Sequence, residues 1–425
     1  MEINDNLNYK SNVKHYNFSK KPKRQAIWTL FVVWIVSFFI LLGYKRKTYR
    51  INMKGLKRPY LLLCNHMQFL DFMVNSLVNF PRRINNVVSI DGFRINTWLL
   101  ETVGSFPKRK FTSSISLLKQ FDVVVNKYKN VCCIYPEARY CVQGSQSDID
   151  SKRLAKVIKH LGVPVVLHLF KGHHLANPNW ATGGKRKLPI QSVIEQIITK
   201  EEISLLSIQE IEDILNKKFV YNEYQYQLDN NILITEKNRA EGLQKILYKC
   251  PYCGSDFTTY TKNHLISCSK CNVTSDLLPN GLLERKDGDT LFNNIPLWYS
   301  YERAEVKKEL ESGLYHFEID AKTFTLPHPS KFYDIGVCHI VHDCNGFVVT
   351  GNYNGENFRV VKKPSENYGL HAEYKFPYLK NNDIFSLSTR DDTFFFIVEE
   401  KDKIRIQKLA IATEELYKLD KEKNK

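Results

Sequence analysis

The sequence lacks the features that mark disulfide-rich secreted proteins and disordered chains. Ten Cys among 425 residues are too few for a disulfide scaffold, and the first apolar run lacks the small-residue exit of a cleavable signal peptide. A reducing compartment is therefore expected. Internal repeats are also missing. A content of 43% apolar and 12% aromatic residues excludes global disorder, and the length suits two or three domains.

Acidic residues are nearly missing from the first sixty positions, which hold Glu2 and Asp5 against thirteen Lys or Arg. Most of the formal net charge of +16 therefore lies in this region, and residues 1–25 form a basic N-terminal segment. Because the charge adjoins an apolar run, it favours membrane lipids with anionic head groups as the partner. No nucleic acid partner is expected.

Residues 26–44 form an apolar run of nineteen residues without a charge. A helix of that length, at about 1.5 Å per residue, roughly matches the ~30 Å hydrocarbon core of a bilayer. The run is therefore predicted to be a membrane-anchor helix, with a signal-peptide core as the competing interpretation. Basic residues stand on both sides, so the positive-inside rule leaves a single span, a hairpin and a tilted anchor open.

The segment after the anchor is predicted to form an α/β domain with a mixed, largely parallel sheet flanked by helices. Short apolar runs predict buried strands at Tyr60–Cys64, Val131–Tyr135 and Val163–Phe170. Amphipathic periodicity predicts helices at Phe69–Phe80 and Arg153–Leu161.

The domain boundaries follow from changes in pattern along the chain. The α/β pattern covers residues 45–240, and a cysteine-containing module covers residues 246–285. In residues 300–425, apolar runs alternate with Asn, Gly and Asp turns, which predicts an antiparallel β domain. A helix is predicted at Thr413–Lys421. Strands followed by one helix would suit a pleckstrin-homology-like domain.

An H-x4-D pair follows the first predicted strand. His66 lies just after the strand, and Asp71 lies in the first turn of the next predicted helix, where a carboxylate can turn back to the imidazole. Such a carboxylate fixes the tautomer, leaves the other ring nitrogen free and stabilises the imidazolium that forms. The pair can deprotonate an alcohol that attacks a thioester, a step typically worth about 10²–10⁴-fold in rate.

Four ordered blocks include this pair: NHMQFLD at 65–71, GSFPKRK at 104–110, YPEARY at 135–140 and GVPVV at 162–166. Their order and spacing resemble those of the bacterial glycerolipid acyltransferases, of which lysophosphatidic acid acyltransferase is the best-known member. The resemblance covers roughly residues 45–200 and implies an acyltransferase domain.

The resemblance also implies roles for individual residues. His66 would be the general base and Asp71 its orienting carboxylate, while basic residues of the second and third blocks would bind the acceptor's head group. The implied substrate-binding residues are Asn65, Lys108, Arg109, Lys110, Glu137 and Arg139. Lys110 and Tyr140 stand where the family usually has Arg. An ammonium does not replace a bidentate guanidinium, so the acceptor is left open.

Other interpretations of these residues stay open. Glu137 and Arg139 can simply pair with each other, and Lys108–Lys110 can form a solvated basic face near lipid. Three further histidines suggest a metal by their number, but they have no evident acid partner in the sequence. Structural or head-group-lining roles are favoured for His168, His173 and His174.

Four cysteines follow the spacing C-x2-C-x14-C-x2-C, which resembles a zinc ribbon: Cys250, Cys253, Cys268 and Cys271. Two such turns place four thiolates on one tetrahedral ion at about 2.3 Å per bond. A closed four-coordinate site has no open position, so the zinc is expected to be structural. No catalytic cofactor is expected. Iron in a rubredoxin-like site and two disulfides are the alternatives.

Together these patterns predict a membrane-associated acyltransferase of phospholipid biosynthesis. The acyl group would move from acyl-CoA or acyl-carrier protein to the hydroxyl of a lysophospholipid or glycerol-phosphate-type acceptor. Thiolate–zinc chemistry and a soluble thioester donor would place the catalytic and C-terminal domains on the cytoplasmic side of the cell membrane. The alternative is a membrane-tethered zinc-ribbon adaptor protein with a degenerate acyltransferase domain.

Overall fold

The computed structural model describes residues 13–112 and 114–423, so the first twelve positions of the predicted basic segment lie outside the described residues. The described chain contains a seven-stranded mixed sheet, a small four-stranded sheet and a seven-stranded antiparallel sheet. The predicted mixed, largely parallel sheet with flanking helices is confirmed, as is the antiparallel sheet toward the C-terminus.

The α/β domain is built from seven strands and nine helices of the described chain. The strands are β1 (Arg46–Ile51), β2 (Tyr60–Cys64), β3 (Ile84–Ser89), β4 (Phe106–Lys108), β5 (Val131–Ile134), β6 (Val165–Lys171) and β7 (Ile190–Ile198). The helices are α1 (Ile27–Ile40), α2 (Leu70–Asn79), α3 (Thr97–Thr102), α4 (Ile115–Asp122), α5 (Ser151–Leu161), α6 (His173–Ala176), α7 (Lys200–Leu205), α8 (Ile208–Lys218) and α9 (Glu223–Asp229). The strand order is β1-β7-β6-β2-β5-β3-β4. Strands β6 and β7 pair antiparallel, whereas the other neighbours are parallel.

Local sequence explains where the central elements begin and end. All five residues of β2 are buried, as expected for a strand in the middle of a sheet covered on both faces. Helix α5 begins after Asp150, whose side chain accepts a hydrogen bond from the backbone of Arg153. It ends at Gly162, whose φ of 59° lies in the left-handed region that favours glycine.

The rest of the chain forms two antiparallel sheets and two long helices. The small sheet contains β8 (Thr259–Lys262), β9 (Leu265–Cys268), β10 (Thr274–Leu277) and β11 (Leu283–Arg285). The large sheet contains β12 (Phe317–His328), β13 (Lys331–Asp343), β14 (Gly346–Tyr353), β15 (Glu356–Lys362), β16 (His371–Phe376), β17 (Asn382–Ser388) and β18 (Thr393–Ile397). Helix α10 (Ile295–Glu311) precedes this sheet and α11 (Ile406–Lys423) follows it. The pleckstrin-homology-like identification is not confirmed.

The predicted anchor helix is shorter than expected. Helix α1 has 14 residues and ends at Ile40, after which the chain turns through Gly43 at a φ of 87°. Across the described chain, no helix combines the length and the apolar character needed to cross a bilayer. The two polar residues Thr29 and Ser37 are fully buried, whereas Phe39 is 64% exposed. Helix α1 therefore turns polar groups toward the protein and apolar groups outward, the reverse of an ordinary surface helix.

A buried charge network attaches the C-terminal helix to the α/β domain. The guanidinium of Arg303 on α10 lies 2.6 Å from Glu414 and 2.6 Å from Glu415 on α11. It also lies 3.1 Å from Asp148, which is 2.7 Å from Lys418. Since Asp148 belongs to the loop between β5 and α5, these ion pairs fix the two domains against each other.

We expect Arg303→Met to lower the free energy of unfolding by about 3 kcal/mol, because it removes a cation that pairs with the buried carboxylates of Glu414 and Glu415. Chemical denaturation followed by circular dichroism measures the change. Lys307→Met on the same helix is the matched control: its 3.8 Å pair with Glu311 is solvent-exposed, so the expected change is below about 1 kcal/mol. Equal midpoints for the two variants would contradict a stabilising role of the network.

Candidate active site and candidate metal centre

The end of the central strand β2 brings His66 and Asp71 together. The chain leaves β2 at Cys64, and α2 begins at Leu70, so Asp71 lies in the first turn of that helix. The Nδ1 atom of His66 lies 3.0 Å from Oδ2 of Asp71. The pair stands at the carboxyl end of parallel strands, the edge where ligands commonly bind in α/β folds.

Asp71 is a fully buried carboxylate that accepts four hydrogen bonds. Its Oδ2 accepts from His66 and from the backbone N–H groups of Met67 at 2.6 Å and Gln68 at 3.0 Å. Its Oδ1 accepts from Nδ1 of His173 at 2.8 Å. Burial alone would raise the pKa of Asp71, but the hydrogen bonds from His173 and His66 hold it below its usual value. An ionised carboxylate only accepts, so it keeps the proton of His66 on Nδ1 and leaves Nε2 with a lone pair.

The contact with His173 was not foreseen. The expectation that the three further histidines lack an acid partner is wrong for His173, because Asp71 lies 102 residues earlier in the sequence and meets it only in the fold. His168 and His174 are buried, and burial lowers their pKa values to about 3 and about 4. They are therefore neutral, and the metal-competent cluster found among the described residues does not include them.

The ring of His66 lies against two tyrosines. Its centroid is 4.3 Å from that of Tyr135 and 4.5 Å from that of Tyr140. The side chain is 24% exposed and lines a cavity. Within the described part of the chain, Nε2 of His66 has no hydrogen-bond partner. The ring nitrogen that carries the lone pair is therefore accessible to a molecule in the cavity.

The cavity next to His66 has a volume of about 1030 Å³ and two chemically different walls. The apolar wall comes from the first, second and fourth helices and includes Val32, Val36, Phe72, Met73 and Leu118. The polar end is shared between the α/β domain and the large sheet and includes Asp91, Lys110, His371, Glu373 and Tyr378. A long apolar chain with a polar head fits such a cavity.

Two predicted binding residues support the loop that carries His66. The side-chain amide of Asn65 bridges the backbone of Phe170, donating to its carbonyl at 3.0 Å and accepting from its N–H at 2.7 Å. Glu137 accepts from the backbone N–H groups of His66 at 2.7 Å and Ser147 at 3.0 Å. Burial raises the pKa of Glu137, although its hydrogen bonds offset part of that effect. Neither Asn65 nor Glu137 is among the described residues that line the cavity.

The three consecutive basic residues of the second block have different environments. Lys108 and Lys110 line the cavity and are partly buried. Arg109 is 4% exposed and donates to the carbonyl of Leu326 at 3.1 Å and to Oγ1 of Thr393 at 2.9 Å. Arg109 therefore joins β4 to the large sheet. The alternative of one solvated basic face is wrong, because packing of the two domains covers this segment.

Arg139 lines the cavity but is engaged by the C-terminal helix. Its guanidinium forms an ion pair with the buried carboxylate of Glu414 and donates to the carbonyl of Leu370 at 3.4 Å. Burial would lower the pKa of Arg139, but Glu414 raises it above its usual value. The suggested pairing of Arg139 with Glu137 is wrong, since Glu137 holds the backbone at His66.

The four cysteines of the small sheet form a compact cluster. Their sulfur atoms lie within 4.8 Å of one another, with 3.6 Å between Cys250 and Cys271 and 3.8 Å between Cys253 and Cys268. A tetrahedral ion with bonds of about 2.3 Å requires sulfur separations of about 3.8 Å, whereas a disulfide requires about 2.05 Å. The two-disulfide alternative is therefore wrong. The geometry is compatible with a structural zinc ion, and the N–H of Lys270 donates to the sulfur of Cys268 at 3.4 Å.

Comparison with solved structures finds distant similarity over part of the chain. No family model and no curated protein matches the chain. The crystal structure of the 1-acyl-sn-glycerophosphate acyltransferase PlsC from Thermotoga maritima is similar over 45% of this chain and 76% of that chain. The sequence identity is 14% and the TM-score is 0.35, so the likeness is distant.

We expect the purified protein to carry about one equivalent of a thiophilic divalent ion, and the double variant Cys253→Ser/Cys268→Ser to lose it. Elemental analysis measures the metal, and thermal unfolding is expected to begin at lower temperature in the variant. Cys344→Ser, at an exposed cysteine outside the cluster, is the control. Metal at the wild-type stoichiometry in the double variant would rule out this cluster as the binding site.

Proposed function

We propose that the protein is a membrane-associated acyltransferase that moves a fatty acyl group from acyl-CoA or acyl-carrier protein to a hydroxyl of a lipid acceptor. The observation that carries the proposal is the His66–Asp71 pair at the cavity. Asp71 holds Nδ1 of His66 at 3.0 Å, and Nε2 is left for a ligand. The apolar wall of the cavity suits an acyl chain, and the polar end suits a head group.

In the proposed transfer, each proton movement is carried by a named group. Nε2 of His66 takes the proton of the acceptor hydroxyl as its oxygen attacks the thioester carbonyl. Asp71 stabilises the imidazolium that forms, as a buried orienting carboxylate does in other histidine-dependent acyl transfers. The new C–O ester bond forms, the C–S bond breaks, and the imidazolium returns its proton to the thiolate that leaves.

We expect His66→Ala to lower acyl transfer by at least about 10²-fold, because His173, the other described histidine in contact with Asp71, does not line the cavity and cannot replace the base. Transfer of labelled acyl groups from both donors to a panel of lysolipids measures the loss, with circular dichroism as the folding check. His160→Ala, at an exposed histidine outside the cavity, is the matched control. Unchanged turnover in His66→Ala would refute the proposal and favour the zinc-ribbon adaptor.

Membrane association is part of the proposal because the mouth of the cavity is apolar and exposed. Five large side chains that line the cavity are each at least 47% exposed: Trp28, Val32, Phe69, Ile95 and Ile115. We call these five residues the apolar rim; exposed apolar side chains grouped around one cavity are typical of proteins that insert into a lipid surface. We propose that α1 lies in the interface of the cell membrane and that the domains behind it face the cytoplasm.

The metal centre has a separate role in this proposal. We propose zinc as the ion held by the four cysteines, since four thiolates at tetrahedral spacing suit it. None of the four cysteines is among the described residues that line the cavity. The ion therefore supplies folding energy to the small sheet and takes no part in acyl transfer.

We expect Phe39→Glu to weaken binding to vesicles that contain anionic lipid by roughly tenfold, because a phenyl side chain contributes about 1.5–3 kcal/mol when it leaves water. Phe39 is 64% exposed on the outer face of α1, so the substitution leaves the core intact. Leu314→Glu, at a leucine that is 79% exposed outside the rim, is the control. Cosedimentation with vesicles measures binding, and equal binding of both variants would argue against this membrane face.

A further inference from the structure

Four charged or titratable side chains from two domains meet at the polar end of the cavity. We call Asp91, Lys110, His371 and Glu373 the polar cluster. The Nζ atom of Lys110 lies 2.7 Å from Nε2 of His371 and 3.6 Å from Oδ2 of Asp91. The Oε2 atom of Glu373 lies 3.0 Å from the same ring nitrogen. His371 and Glu373 belong to β16, so the C-terminal sheet supplies half of the cluster.

The polar cluster lines the same cavity as the candidate base. The ring of Tyr140 packs against His66 at 4.5 Å between centroids. Burial raises the pKa of Tyr140 most, and the nearby carboxylates of Glu373, Asp71 and Asp91 raise it further. Tyr140 therefore bridges the space between His66 and the cluster as a neutral phenol. Among the described residues its hydroxyl has no hydrogen-bond partner, so it can bind a ligand.

The polar cluster carries no net positive charge. Burial lowers the pKa of His371, so its imidazole is neutral. Burial alone would raise the pKa of Asp91, but the ammonium of Lys110 holds it below its usual value, so the carboxylate is ionised. Within the polar cluster, the single cation Lys110 therefore faces the two carboxylates of Asp91 and Glu373.

Among the other cations that line the cavity, Arg139 is paired with Glu414 and Arg153 with Asp150, whereas Lys156 is exposed to solvent. A phosphomonoester brings roughly 1.5–2 negative charges. No net positive charge in the polar cluster compensates them, and its two carboxylates would repel them. Hydroxyl groups, in contrast, donate to carboxylates and accept from an ammonium, so they match both kinds of partner in the cluster.

We infer that the acceptor carries an uncharged polyol head group, such as glycerol or a sugar, held by hydrogen bonds from the polar cluster. This inference rests on the proposed acyl transfer. It also assigns the C-terminal sheet a part in substrate selection, because β16 contributes His371 and Glu373. The acceptor hydroxyl then lies at His66 while its neighbouring hydroxyls reach the cluster past Tyr140.

The first test compares acceptors with the same acyl chain and different head groups. The full-length protein is given labelled acyl-CoA or acyl-carrier protein together with a monoacylglycerol, a monoacylated glycosylglycerol or lysophosphatidate. We expect at least a tenfold higher kcat/KM with one of the neutral acceptors than with lysophosphatidate. A preference for lysophosphatidate would overturn the inference and leave the acyltransferase proposal standing. Transfer to none of the acceptors would instead contradict the acyltransferase proposal itself, and the inference with it.

The second test changes the charge of the polar cluster. Glu373→Gln keeps the shape of the side chain and removes one anion, so the ratio of kcat/KM for lysophosphatidate to that for the neutral acceptor is expected to rise about tenfold. Glu284→Gln, at an exposed position on β11, is the control and should leave the ratio unchanged. An unchanged ratio in a folded Glu373→Gln protein would overturn the role of the cluster.

Discussion

The candidate site depends on a single buried carboxylate. Asp71 is ionised although it has no contact with solvent. Four hydrogen-bond donors surround its two oxygens and offset the desolvation penalty of the buried charge. Those donors come from the loop after β2 and from α6, so the hydrogen bonds of one side chain set the positions of several elements. His66 is oriented as one member of this set, and its accessible nitrogen is a consequence of the arrangement.

Two of the basic residues that were expected to bind an anionic head group, Arg109 and Arg139, join the two domains instead. Arg109 donates to the large sheet, and Arg139 is paired with Glu414 on α11. Burying a guanidinium is favourable only when carboxylates or carbonyls satisfy its donors, and the C-terminal domain supplies them. The cavity is consequently completed by residues from two domains, and the acids Glu373 and Glu414 come from the C-terminal part of the chain.

Helix α1 and the cysteine cluster illustrate two ways of stabilising structure at the edge of a fold. Helix α1 exposes apolar side chains beside the cavity mouth, an arrangement that is stable where lipid replaces water. The small sheet has little core of its own, and its four sulfur atoms stand at the separations that a tetrahedral ion requires. Under the proposed function, lipid would supply the missing contacts of helix α1, and a bound ion would supply those of the small sheet.

Features that depend on neighbours in the chain could be read from the sequence. The strand Tyr60–Cys64, the stop at Gly162, the approach of Asp71 to His66 and the four-cysteine spacing all follow from periodicity, φ preference or short loops. The partner of His173 is 102 residues away, and the partner of Arg139 lies on the last helix. Such long-range pairs are selected by how elements pack, and no local pattern encodes them. The sequence by itself therefore determined the chemistry that is available, whereas the tertiary structure decided which charges remain free for a ligand.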